Sequence, residues 1–308
     1  MANLITPLGH DVYEIDTQMA GYRGITAGYL ILGDRPCLIE PGTAGSAPIV
    51  RDALTSLGVD AADLASVVVT HIHLDHAGGV GDIAGLYPSA EIVVHEQGAR
   101  HLASPERLMR SARMVFGDAL DTLFGELKPT PAERIVSVSD VGVIDLGGGR
   151  RLESYYSPGH ARHHVGLLDS LSGDLYVGDA AGLYIPETAE IRPATPPPDF
   201  DLETAVASLD RFRELQPTRL LFAHYGPVSD VPLTLDRSEE ELRLWVELVS
   251  EANDAGLDLD HAVAMVEDRT AGRYKSYAPD ADPALREKYE VLNSTANNVA
   301  GIMHSLRA

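Results

Sequence analysis

Three histidines and one carboxylate fall within six residues in the segment Thr70-His71-Ile72-His73-Leu74-Asp75-His76-Ala77-Gly78-Gly79. The run in front of it, Leu-Ala-Ser-Val-Val-Val-Thr over 64–70, is rich in β-branched residues and has no turn former, the pattern of a buried strand. His71 therefore falls where the strand ends. A loop there lets His71 and His73 point to one side and Asp75 and His76 to another, so one strand, loop and helix can serve two adjacent cations. Gly78 and Gly79 let the backbone bend closely round them. A solvated polar loop is the plainer alternative, but three imidazoles beside a carboxylate are costly to place together without a purpose. The chemistry these residues can do is metal binding.

His-x-His-x-Asp-His behind a strand resembles the signature of the metallo-β-lactamase superfamily. That resemblance implies further ligands from later loops, and three segments offer them in order. Ser157-Pro158-Gly159-His160 follows the strand-like stretch 151–156, Leu175-Tyr176-Val177-Gly178-Asp179 ends an apolar run in a carboxylate, and Leu220-Leu221-Phe222-Ala223-His224 ends one in an imidazole. Carried over residue by residue, the resemblance implies that His71, His73 and His160 hold one cation, that Asp75, His76 and His224 hold a second, and that Asp179 bridges both. A neutral imidazole presents one lone pair, so only an oxygen ligand can bridge. Mixed nitrogen and oxygen ligation suits two Zn²⁺ ions first and also admits Fe²⁺ or Mn²⁺.

Departures from neighbouring branches of that family narrow the chemistry. Its electron-transferring di-iron members carry glutamate where this chain has His73. Branches with a cysteine ligand are disfavoured because the one cysteine, Cys37, lies far upstream in an apolar strand. Other lactamases lack the aspartate that Asp179 supplies. The set is most similar to glyoxalase II-like thioesterases, lactonases and phosphodiesterase-like members. Glu40 stands where the family usually has an aspartate behind the metal loop, and its extra methylene is expected to shift that support without changing its chemistry. His164 is expected to be a packed strand residue, whereas His163 fits either a place behind the ligands or one in the pocket.

Two divalent cations a few ångströms apart lower the pKa of a shared water towards neutrality, so a bridging hydroxide can attack a carbonyl or phosphorus while Asp75 orients it. The resemblance thus implies a dinuclear metal-dependent hydrolase of an ester-type bond, a thioester or lactone before all. The alternatives are a phosphodiesterase- or phosphotriesterase-like hydrolase, and a non-catalytic metal-binding protein, against which the complete ligand set argues.

Strands alternating with helices predict an α/β chain of packed mixed sheets, and the resemblance implies a four-layer αββα sandwich over 1–232 with a C-terminal helical extension over 233–308. The pattern predicts strands at 11–16, 26–32, 36–40, 64–70, 91–95, near 134–137, 150–156, 165–169, 174–178 and 219–222. It predicts helices at 46–57, 79–86, within 96–126 and at 202–215, the last capped by Asp201. Five prolines between Ile185 and Phe200 forbid a regular element there, and from that loop Tyr184, Ile185 and Ile191 could wall a pocket while Arg192 meets an anion. Apolar residues in 100–126 form a satellite core or a lid. Beyond Pro232, Ser238 and Glu241 read as a capping box and Gly256 as a stop. A short helix follows at 258–268, a loop from Thr270 to Asp282, and then one long helix opening at Pro283. Its stripe of Leu285, Tyr289, Leu292, Ala296, Val299, Met303 and Leu306 must be covered, by this chain or by a second copy in a homodimer.

Composition bounds the partners. Of 308 residues 44% are hydrophobic, yet no apolar run approaches the roughly 20 residues that span a bilayer. The start lacks the basic flank and apolar block of a secretory signal, and a single cysteine rules out an internal disulfide framework, in keeping with the cytoplasm. A net charge of −22 with no lysine or arginine cluster disfavours nucleic acid. The expected partner is a small-molecule substrate.

Overall fold

In the computed structural model, which describes residues 4–278 and 282–307, the chain divides into two compact units, 1–156 with 163–177 and 157–162 with 178–308. Met1 to Asn3, the first residues of the start that lacks a signal pattern, and residues 279–281 of the loop expected before Asp282 lie outside the described residues.

The first unit opens with β1 (Ile5–Gly9), β2 (Val12–Asp16), β3 (Ala27–Ile31) and β4 (Cys37–Ile39), each antiparallel to the next. After α1 (Ala47–Ser56) the sheet continues in parallel through β5 (Ser66–Val68). Then come α2 (Leu74–Ala77), α3 (Val80–Leu86) and β6 (Glu91–His95), followed by α4 (Glu96–Ala103), α5 (Glu106–Phe116), α6 (Ala119–Leu123) and β7 (Ile135–Val138), which closes a seven-stranded sheet in sequence order. Parallel strands joined by helical crossovers are covered on both faces, and Leu38, Ile39, Val67, Ile92 and Val94 are accordingly buried. The antiparallel run β8 (Val141–Asp145), β9 (Arg151–Tyr156), β10 (Val165–Asp169) and β11 (Asp174–Gly178) faces that sheet, with Tyr29 edge-on to Tyr176 at 5.2 Å between ring centroids. β1 and β8 escape the sequence pattern because both are largely exposed, β8 leaving even Val141 and Val143 open to solvent, so neither shows an alternation of buried apolar and exposed polar positions. Of the apolar residues in 100–126, Leu102, Leu120 and Phe124 are buried, while α5 buries none of its side chains and leaves Met114 82% exposed.

A buried ion pair ties the end of β10 to the turn before β9. Arg150 Nε donates to Asp169 Oδ1 at 3.0 Å and a second guanidinium nitrogen donates to Oδ2, while another reaches the His10 carbonyl at 2.8 Å. Burial alone would raise the Asp169 carboxyl, but Arg150, the Leu171 amide and the Ser172 hydroxyl together hold it below the usual carboxylate range. A folded-state pKa below the unfolded one contributes stability at neutral pH that is lost as pH falls through the folded value. Arg150→Met is expected to cost about 3–5 kcal/mol at pH 7, because it strands a buried carboxylate. The gap to the wild type should narrow on acidification as Asp169 becomes protonated. Urea denaturation of the metal-free proteins at both ends of that range checks this, and a gap independent of pH would contradict it.

The second unit begins with a short hairpin, β12 (Leu183–Ile185) and β13 (Glu190–Arg192). The prolines expected to forbid any regular element here flank the hairpin instead: Pro186 lies in its turn and Pro193 follows it, so neither removes a needed N–H. α7 (Leu202–Glu214) starts as expected, Asp201 accepting from the Thr204 amide, and buries Leu209 and Phe212. β14 (Arg219–Phe222) and β15 (Gly226–Val228) form a second hairpin.

α8 (Val231–Asp254) corrects the capping-box reading. Its cap is Asp230, which accepts from the Leu233 amide, with Pro232 in the first turn; Ser238 lies in mid-helix, its hydroxyl donating to the Ala181 carbonyl. Gly256, at φ +70°, follows the helix end as expected. α9 (Leu259–Thr270) comes next. The long helix expected from Pro283 is two, α10 (Pro283–Leu292) and α11 (Thr295–Ser305), because Ser294 caps a new helix by accepting from the Asn297 amide. α11 packs on α8 and α9, burying Val299, Ile302 and Met303 and leaving Ala296 and Leu306 exposed. Among the described residues no helix is long and apolar enough to cross a membrane.

Candidate metal centre

β5 delivers His71 through Val69 and Thr70, both fully buried. His73 is the N-cap of α2, which carries Asp75 and His76 in its single turn. His71 Nε2 and His73 Nδ1 are 3.0 Å apart, and Asp75 Oδ2 lies 3.6 Å from His76 Nε2. Gly78 and Gly79 contribute closeness and not the bend expected of them. Neither has a positive φ, but a Cβ on Gly78 would stand 3.0 Å from the Ala44 amide nitrogen and one on Gly79 2.8 Å from the Thr43 carbonyl.

In the second unit Asp179 sits between two imidazoles, its Oδ2 3.5 Å from His160 Nε2 and its Oδ1 3.4 Å from His224 Nε2. His224 is held by β12, since its carbonyl accepts from the Tyr184 amide at 2.6 Å while the Tyr184 carbonyl accepts from the Tyr225 amide at 3.0 Å.

Of the seven side chains singled out in the sequence, His71, His73, Asp75 and His76 lie in the first unit and His160, Asp179 and His224 in the second, and among the described residues they are histidine and aspartate groups that could hold a metal ion. His71, His76, His160, Asp179 and His224 are buried, whereas His73 and Asp75 are partly exposed.

The donor set fits divalent cations, and so do the atoms behind it. A carbonyl or carboxylate can only accept a hydrogen bond, so the ring nitrogen facing it must carry the proton and the other nitrogen keeps its lone pair. His160 Nδ1 donates to the Ala194 carbonyl at 2.9 Å and His76 Nδ1 donates to Glu40 Oε2, leaving both Nε2 atoms as donors to a metal. The Thr70 hydroxyl lies 2.9 Å from His71 Nδ1, and the Thr70 amide donates to Glu40 Oε1 at 2.5 Å. The longer Glu40 thus reaches both the strand end and α2.

His164 is fully buried with its ring 5.1 Å from that of His71. His163 stacks 6.2 Å from the His71 ring and accepts from the Ile72 amide at 3.4 Å, behind the loop. Arg192 is 2% exposed, with its guanidinium 5.5 and 5.6 Å from the ring centroids of Trp245 and Tyr274 and Glu290 at 3.7 Å. Sequence reading missed Thr70, the Ala194 carbonyl and the Tyr184 backbone. A hydroxyl next to His71 was a usable signal for the first; the other two act through the main chain and leave none.

The chain belongs to the metallo-β-lactamase superfamily, whose family model matches residues 21–224. It is 33% identical over 189 residues to the metallo-beta-lactamase fold-containing protein ST1585 of Sulfurisphaera tokodaii, covering 59% of this chain and 70% of that one. To a hydroxyacylglutathione hydrolase of Synechococcus sp. strain JA-3-3Ab it is 27% identical over 229 residues, 71% of this chain and 75% of that one. The crystal structure of ST1585, described as an archaeal metallo-beta-lactamase superfamily protein from Sulfolobus tokodaii, superposes with a TM-score of 0.69 at 25% identity, covering 96% and 99% of the two chains. The fold is that of the metallo-β-lactamases, and the superfamily consists mostly of metal-dependent hydrolases.

Proposed function

We propose that this chain is a dinuclear metal-dependent hydrolase of ester-type bonds, thioesters or lactones, with Zn²⁺ as the first choice of metal and Fe²⁺ or Mn²⁺ as substitutes. His71, His73 and His160 hold one ion, Asp75, His76 and His224 the other, and Asp179 bridges them. The observation that carries this reading is the presence of histidine and aspartate groups whose donor atoms could hold a metal ion. Divalent cations held there lower the pKa of water towards neutrality and polarise the oxygen of a carbonyl.

The chain's own residues do the rest. Asp75 keeps 17% of its side chain exposed, and its carboxylate oxygen can accept the hydrogen bond of an attacking water and take its proton. Cys37 offers no competing nucleophile: it is wholly buried in β4 and burial pushes its thiol up to about 12. Kinship to a hydroxyacylglutathione hydrolase supports acyl chemistry.

The test is protein stripped with a chelator, reloaded separately with Zn²⁺, Mn²⁺ or Fe²⁺, and offered an S-acyl thioester, an acyl lactone and a phosphodiester. Turnover of the thioester or lactone that vanishes on stripping and returns on reloading is expected. Preference for the phosphodiester would overturn the substrate class, and no turnover by any metal form would overturn the assignment as a hydrolase.

A further inference from the structure

One peptide plane joins the His160 ring to the C-terminal helix. The carbonyl of Ala194 accepts from His160 Nδ1 at 2.9 Å, and the amide of Thr195, in the same planar peptide unit, donates to Asn298 Oδ1 at 2.7 Å. Asn298 is itself fixed, its Nδ2 donating to Asn293 Oδ1 at 2.5 Å and to the Ser294 carbonyl at 3.3 Å, so Oδ1 is the atom left facing the strap. The Thr195 hydroxyl also reaches Asn298, at 3.0 Å from Oδ1 and 3.1 Å from its carbonyl, and Asn293 Nδ2 donates to the Pro193 carbonyl at 2.9 Å. α11 lies directly on this strap: a Cβ on Gly301 would stand 1.8 Å from the Thr195 carbonyl oxygen. Thr195, Asn298 and His160 are all buried.

We infer that Asn298 is a positioning residue for His160, acting through the 194–195 peptide, so that α11 sets the presentation of a metal ligand distant from it in sequence. The amide–carbonyl–imidazole line fixes both the tautomer and the tilt of the ring, and hydrogen bonds in line strengthen one another. Without the Asn298 oxygen the Thr195 amide loses its acceptor, the peptide plane loses one of its restraints, and the Ala194 carbonyl aims less firmly at the ring nitrogen, so Nε2 loses part of its fixed direction.

The inference rests on His160 being a ligand, as proposed above. Zn²⁺ affinity of the full chain is measured by competition with a chromophoric chelator, together with the visible spectrum of the Co²⁺-loaded protein. Asn298→Ala is expected to weaken the ion bound by His160 about 10- to 100-fold, the usual scale for partners behind a ligand, and to alter the Co²⁺ bands. Val299→Ala, which trims a buried residue of the same helix, should lower the melting temperature while leaving affinity and spectrum unchanged. Should Asn298→Ala fail to fold, Asn298→Ser, whose hydroxyl is too short to reach the Thr195 amide, carries the same expectation. Unchanged Zn²⁺ affinity in the folded Asn298 variant, with His160→Ala losing it, overturns the positioning role alone. Unchanged affinity in His160→Ala overturns the ligand reading itself.

Discussion

Asp179→Asn is expected to lower kcat/KM about 10³-fold, the scale of removing a preorganised electrostatic stabiliser from an active site, and to take bound metal from two ions per chain towards one. Asparagine keeps the shape of the side chain but not its charge, and its amide nitrogen cannot serve as the second ligand atom. The carboxylate is 6% exposed and lies between two imidazoles at 3.5 and 3.4 Å. The loaded variant should melt below the loaded wild type. Elemental analysis, steady-state kinetics and calorimetry on the loaded proteins check this; full metal content with unchanged kcat/KM would count against a bridging role.

Gly159→Ala is expected to cost about 3 kcal/mol and to reduce metal occupancy in the folded fraction. Two effects coincide. Gly159 has φ +123°, a conformation L side chains rarely adopt, and its Cβ would fall 2.4 Å from both the Cα and the amide nitrogen of Ala205. Those are backbone atoms of the first turns of α7, a helix also tied to this loop by the Ser208 hydroxyl donating to the Pro158 carbonyl at 2.6 Å. Either α7 withdraws or the loop does, and His160 is the next residue. Urea denaturation and metal analysis measure both consequences. A variant within about 0.5 kcal/mol of the wild type, the range of ordinary surface substitutions, would show that the loop has slack.

The ligand-bearing strand ends were legible because each pairs a run of apolar β-formers with a polar residue that has no reason to sit there. β6, β10, β11 and β14 fall where the pattern places them for the same reason. Elements whose cause is not periodic hydrophobicity were not legible. β1 and β8 are exposed strands, and β12 and β13 are three residues each between proline-rich turns. The two misread helix boundaries share a cause. Serine caps a helix only where the backbone before it is extended, and sequence cannot tell Ser238, whose hydroxyl bonds back into its own helix, from Ser294, which opens one. The supports of the site split the same way. Glu40 could be found by its place relative to the signature, whereas the Ala194 carbonyl is a main-chain atom that any residue would supply.

The central claim is that these seven side chains close on two cations. Diffraction from crystals of the loaded protein, recorded on both sides of the metal's absorption edge, tests it most directly. Two anomalous peaks are predicted, one within about 2.0–2.3 Å of His71, His73 and His160 and the other equally close to Asp75, His76 and His224, with Asp179 touching both. A single peak, or peaks remote from these residues, would contradict it.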